Sequence, residues 1–161
     1  EPVPSTFETL KTTIADEGLG NVTLNQKAVS NESGQIEIHM PGDDHARPSI
    51  QKHARQSWDK EEEVHSFPCE ATTLDKYMQE QGISSVDFLK IDCEGNEGEI
   101  LQEREAWKKV RFLAMEYHLW ANEKDHTDAR KAVEAIGFKV TGQHPIDDYG
   151  LIYASNKNWS L

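Results

Sequence analysis

Cysteine is scarce in this chain. Cys69 and Cys93 are the only two in 161 residues, and with no C-x-x-C spacing they signal neither a disulfide framework nor a zinc site. Reduced thiols in a cytoplasmic setting are the expectation. Positive charge is scarce as well: 17 Lys and Arg face 29 Asp and Glu, for a formal net charge of −12. Gripping a nucleic-acid backbone takes clustered cations, so no nucleic-acid partner is expected. Long apolar runs are missing, since no stretch approaches the roughly 20 residues that a bilayer span needs, and no membrane partner is expected. A mean hydropathy of −0.74 describes a well-solvated surface, and the length suits a single domain over residues 1–161. A dinucleotide-type glycine loop is also absent. The ten glycines contain no G-x-G-x-x-G, and Gly18-Leu19-Gly20 opens toward a strand, not a helix.

What is present alternates. Phe7, Leu10 and Ile14 fall on one face of a helix over residues 5–17 that stops at Gly18. Residues 22–29 read as a strand, and the alternating Ile36, Ile38 and Met40 beyond the turn Asn31-Glu32-Ser33-Gly34 read as its hairpin partner. Residues 41–63 hold no sustained period. They contain His45, His53, Trp58 and the run Glu61-Glu62-Glu63, and are expected to form an irregular insertion or lid. Further on, strands are expected over 64–68, 86–91, 110–116, 138–141 and 151–154, with helices over 73–81, 97–107 and 125–136. Strands alternating with helices predict an α/β fold, mostly parallel, with helices on both faces of the sheet.

The most informative run is Val86-Asp87-Phe88-Leu89-Lys90-Ile91-Asp92-Cys93-Glu94-Gly95-Asn96-Glu97. It reads as a strand covered on both faces, followed by a turn and an acid-rich helix start. Ligands of open α/β sheets bind beyond the carboxyl ends of the strands, which places Asp92, Glu94, Asn96 and Glu97 along a crevice. The bland alternative is that Asp92 caps the helix and the glutamates are solvated. A second apolar strand ends in Glu116-Tyr117-His118. His118 is a candidate general base there, because imidazole titrates near neutral pH; the alternative is a histidine that only hydrogen-bonds Glu116 or a carbonyl. Trp120 is a candidate for stacking on an acceptor or for packing. Asp92 has three readings: contact with a cofactor, a base, or one of a set with Glu94, Glu116 and Asn96 around a divalent cation such as Mg²⁺.

The stretch Lys90-Ile91-Asp92-Cys93-Glu94-Gly95-Asn96-Glu97-Gly98-Glu99-Ile100-Leu101 resembles the signature of the FkbM family of S-adenosylmethionine-dependent methyltransferases. Glu1-Pro2 with Phe7 and Leu10, then Asn21-Val22-Thr23-Leu24 and Ala28-Val29-Ser30, resemble the family's second and third strands and the helix between them. Ala114-Met115-Glu116-Tyr117-His118 resembles its next strand. The resemblance implies a Rossmann-like class I methyltransferase sheet that uses S-adenosyl-L-methionine. It further implies O-methylation of a hydroxyl on a sugar or secondary metabolite, so that the partner is a small-molecule or glycan acceptor. It makes Glu1, Ala28, Val29 and Asp92 cofactor-binding residues: Glu1 for the ribose hydroxyls, Ala28 and Val29 flanking adenine. Asp92, Glu94 and His118 become the catalytic candidates.

Family members carry a strand and a glycine-rich turn ahead of the Glu-Pro pair, and this sequence begins at Glu1. The expectation is a domain lacking its N-terminal strand and glycine-rich turn, its activity as a fragment left open, and prone to self-association along the unpaired sheet edge. Two other readings stand beside the enzyme: a non-catalytic interaction domain that keeps the fold, and a carboxylate- or metal-dependent hydrolase built on Asp92, Glu94 and Glu116.

Overall fold

The computed structural model describes residues 1–41, 48–50, 64–102, 105–120 and 125–159. His45, His53, Trp58 and Glu61-Glu62-Glu63, expected in the irregular insertion or lid, lie outside them. Helix α1 (Pro4–Asp16) starts with proline in its first turn, where the missing N–H costs nothing. It ends at Gly18, whose φ of +64° is the left-handed conformation that closes a helix.

The first sheet is built around a central strand. Strand β1 (Ala28–Val29) is only two residues long, and β2 (Gly34–Pro41) and β3 (Val64–Thr72) are longer. The order is β1-β3-β2, with β1 parallel and β2 antiparallel to β3. The expected hairpin between residues 22–29 and the Ile36-Ile38-Met40 strand does not form. Residues 22–27 take no strand conformation, with Val22 exposed, and β3, with Cys69 and Ala71 buried, comes between the two. Helix α2 (Leu74–Glu80) follows, its Thr73 cap accepting from the Lys76 N–H.

The second sheet has four strands. Strand β4 (Val86–Ile91) lies parallel to β5 (Val110–His118), while β6 (Phe138–Ile146) and β7 (Tyr149–Asn156) form a hairpin that sets β7 antiparallel against β5. Only the β1/β3 and β4/β5 pairings are parallel, which corrects the expectation of a mostly parallel sheet. The reason is local. Asp147 and Asp148 are the only residues between β6 and β7, with Asp147 at φ +43°, and a two-residue link can join only antiparallel neighbours.

The single helix expected over 97–107 is split into α3 (Glu97–Ile100) and a 3₁₀ turn, Ala106–Lys109. The Asn156 side chain donates to the carbonyls of Trp107 and Val110 at 2.9 and 2.8 Å, which fixes the turn against β7. Helix α4 (His126–Ala135) is capped by Asp125. Trp107, Val110, Leu113, Met115, Tyr117, Val133, Phe138 and Ile152 form the core on one face of this sheet. The other face is open among the described residues: Phe88 is 60% exposed, and Phe112 and Tyr153 are exposed beside it. Strand β4 is therefore not covered on both faces as expected. Among the described residues no helix is long and apolar enough to cross a membrane.

Candidate functional site

The site forms where the carboxyl ends of β1 and β4 meet. After Ile91 the chain turns sharply, with Glu94 at φ +47° and Gly95 at φ +95°. Two successive left-handed residues are costly for anything but glycine, of order 1–3 kcal/mol at Glu94, so the turn needs outside support. Ser49 donates its hydroxyl to the Glu94 carbonyl at 3.0 Å. Asn96, buried, donates its amide to the Val29 carbonyl at 2.9 Å. Glu97 folds back to accept the Cys93 N–H at 3.0 Å and the Gly95 N–H at 3.2 and 3.1 Å.

This turn walls a cavity of about 460 Å³, within the size range of small-molecule sites. All four residues expected to bind cofactor line it: Glu1, Ala28, Val29 and Asp92. Glu94 and Asn96 line it too, and Ile38 and Ile50 add apolar surface. Glu1 is held in place by the Val3 N–H, which donates to its carboxylate at 2.7 Å. Asp92 pairs with Lys90 at 2.8 Å on the exposed side of the strand end, and that hydrogen bond raises the Lys90 pKa despite partial burial. Lys90 thus pairs with a carboxylate. From the segment expected to be a lid, Pro48 and Ile50 reach the cavity wall.

His118 does not line the cavity; it lies behind it, buried. Its Nδ1 is 3.2 Å from Glu97 Oε1, and its Nε2 stands 3.7 Å from Glu94 and 3.6 Å from Glu116. Tyr149 stacks on the ring at 6.3 Å between centroids, and Trp120 tilts against it at 5.5 Å. Burial lowers the imidazole pKa, but the Glu97 hydrogen bond and the charges of Glu97, Glu94 and Glu116 outweigh it, and the net direction is up. Burial, with the Glu97 charge nearby, pushes the Cys93 thiol up to about 12.

Glu97 differs from the reading of a solvated helix-start glutamate: its exposure is 0%. The clue is its spacing, four residues after Cys93 and two after Gly95, which lets a helix-start carboxylate reach back to the N–H groups of the preceding turn. Ser49 carried no such signal, because its role depends on contact with a turn 45 residues away. Among the described residues no three His, Cys, Asp or Glu side chains are grouped to hold a metal ion, so the geometry gives no support to Asp92, Glu94, Glu116 and Asn96 as an Mg²⁺ set.

A mixed α/β domain whose strand ends surround a cavity part acidic and part apolar is a ligand-binding class of fold. The chain belongs to the FkbM methyltransferase family: the methyltransferase FkbM domain matches residues 1–140, which includes every cavity-lining residue and His118. No curated protein and no solved structure matches the chain.

Proposed function

We propose that this methyltransferase domain uses S-adenosyl-L-methionine and methylates a hydroxyl oxygen of a small-molecule or glycan acceptor, a sugar or a secondary metabolite. The observation that carries the reading is the convergence of Glu1, Ala28, Val29 and Asp92 on one cavity from distant parts of the sequence. The residues fit such a cofactor. Ala28, Val29, Ile38 and Ile50 offer apolar surface for a purine, Glu1 offers acceptors for vicinal hydroxyls, and Asp92 and Glu94 offer negative charge to an amino group and a sulfonium.

When bound, the cofactor supplies an electrophilic methyl group. The chain's task is to align the acceptor oxygen with it, an effect worth several kcal/mol, and to take the hydroxyl proton. That proton passes by way of Glu94, which lines the cavity and lies 3.7 Å from His118 Nε2, to this nitrogen, while Nδ1–H donates to Glu97, the arrangement by which a carboxylate fixes an imidazole tautomer. Because the surrounding carboxylates raise its pKa, transfer rises as the pH passes that folded-state value.

The test is calorimetric titration of S-adenosylhomocysteine into the full chain, beside Glu1→Ala and Asp92→Ala. Binding that either substitution weakens by about tenfold or more, the loss of one charge-assisted hydrogen bond, supports the reading. No binding by the wild type overturns it and favours the non-catalytic interaction domain.

A further inference from the structure

A carboxylate with no exposure is tolerated only when donors surround it, and the donors around Glu97 come from two places. The Cys93 and Gly95 N–H groups belong to the turn that carries the cavity-lining Asp92 and Glu94. His118 Nδ1 belongs to the end of β5. All three meet at the same Oε1.

We propose that Glu97 is a positioning residue of the methyl-transfer site, a latch that holds the 93–95 turn in its left-handed shape and, through the same oxygen, sets the orientation of His118. The inference rests on the cavity being the cofactor site. Its physical basis is the cost of the turn: the left-handed Glu94 is unfavourable by itself, and the bonds that Glu97 accepts offset that cost. With the latch in place, the group that takes the acceptor proton and the turn that faces the cofactor cannot shift independently.

Glu97→Gln is the discriminating variant. It keeps the shape of the side chain but leaves one acceptor oxygen where two now serve the turn and the imidazole, and it turns an NH₂ toward one of those donors. The expected result is amide exchange at Cys93 and Gly95 that speeds up by about tenfold or more, while amides of the β5–β7 ladder such as Met115 and Ile152 keep their protection. S-adenosylhomocysteine affinity falls by a similar factor, measured well below the melting temperature. A merely structural Glu97 would lower the melting temperature and leave the affinity of the folded protein unchanged, and that outcome overturns the inference. Wild type that fails to bind S-adenosylhomocysteine overturns the cofactor reading itself, before any variant is compared. Should Glu97→Gln not fold, wild-type exchange decides: protected Cys93 and Gly95 amides support the latch, and unprotected ones refute it.

Discussion

The side-chain amide of Asn96 donates to the backbone carbonyl of Val29, 2.9 Å away and 67 residues earlier in the chain. One partner ends a strand of the first sheet, and the other sits in the turn after β4 of the second. The bond therefore fixes the two strand ends that face each other across the cavity.

Asn96→Ala leaves that carbonyl without its partner in a buried place. Urea unfolding is expected to show a loss of about 1–3 kcal/mol with an unchanged slope, together with weaker S-adenosylhomocysteine binding. Unaltered stability and affinity would show that the bond does not hold the sheets in register at the cavity.

Much of this was legible in the chain because it is local. Strand β4 occupies the residues that a short apolar run bounded by turn residues assigns to it, and α1, α2 and α4 fall within a residue or two of their expected bounds. Glu1, Ala28, Val29 and Asp92 line one cavity because strand ends in α/β folds point to one side, which a motif can reveal. What was hidden depends on distant partners. Two residues of β1 acquire strand geometry only from β3, β7 slips between β5 and β6 because of a two-residue turn, and the role of Glu97 depends on an imidazole 21 residues away.

His118 gives stability a pH dependence of known sign. The groups facing it are Glu94, Glu97, Glu116, Trp120 and Tyr149, and its folded-state pKa is raised. Its stabilising contribution is thus complete below the unfolded value of roughly 6.5 and is lost as the pH rises through the folded value. The stability advantage of wild type over His118→Gln, read by urea unfolding, should shrink as the pH rises above roughly 6.5. An advantage that grows over that range contradicts the arrangement.

Neither cysteine should react in the native state. Cys93 has its thiol pushed up to about 12, and burial raises Cys69, so thiolate is scarce at both near neutral pH. Ellman's reagent at about pH 8 is expected to label both only after denaturant is added. Rapid labelling of Cys93, which is half-buried and lines the cavity, would show that its thiol is not held up.

Self-association is expected along the outer edge of β4, which among the described residues pairs only with β5 and sits beside the exposed Phe88 and Phe112. An open edge invites a second copy to pair with it, while the −12 net charge works against close approach. Sedimentation should show concentration-dependent association that added salt strengthens by screening and that Phe88→Glu reduces. A monomer at every salt concentration argues against it.

The central claim is that the cavity at the ends of β1 and β4 holds the methyl donor, and its most direct test is to follow Ala28 and Val29 methyl signals and the Asn96 side-chain amide by NMR as S-adenosylhomocysteine is added. The account predicts saturable shifts at these three positions, with the exposed face marked by Phe88 and Tyr153 unchanged. Shifts confined to other surfaces, or none at any concentration, would contradict it.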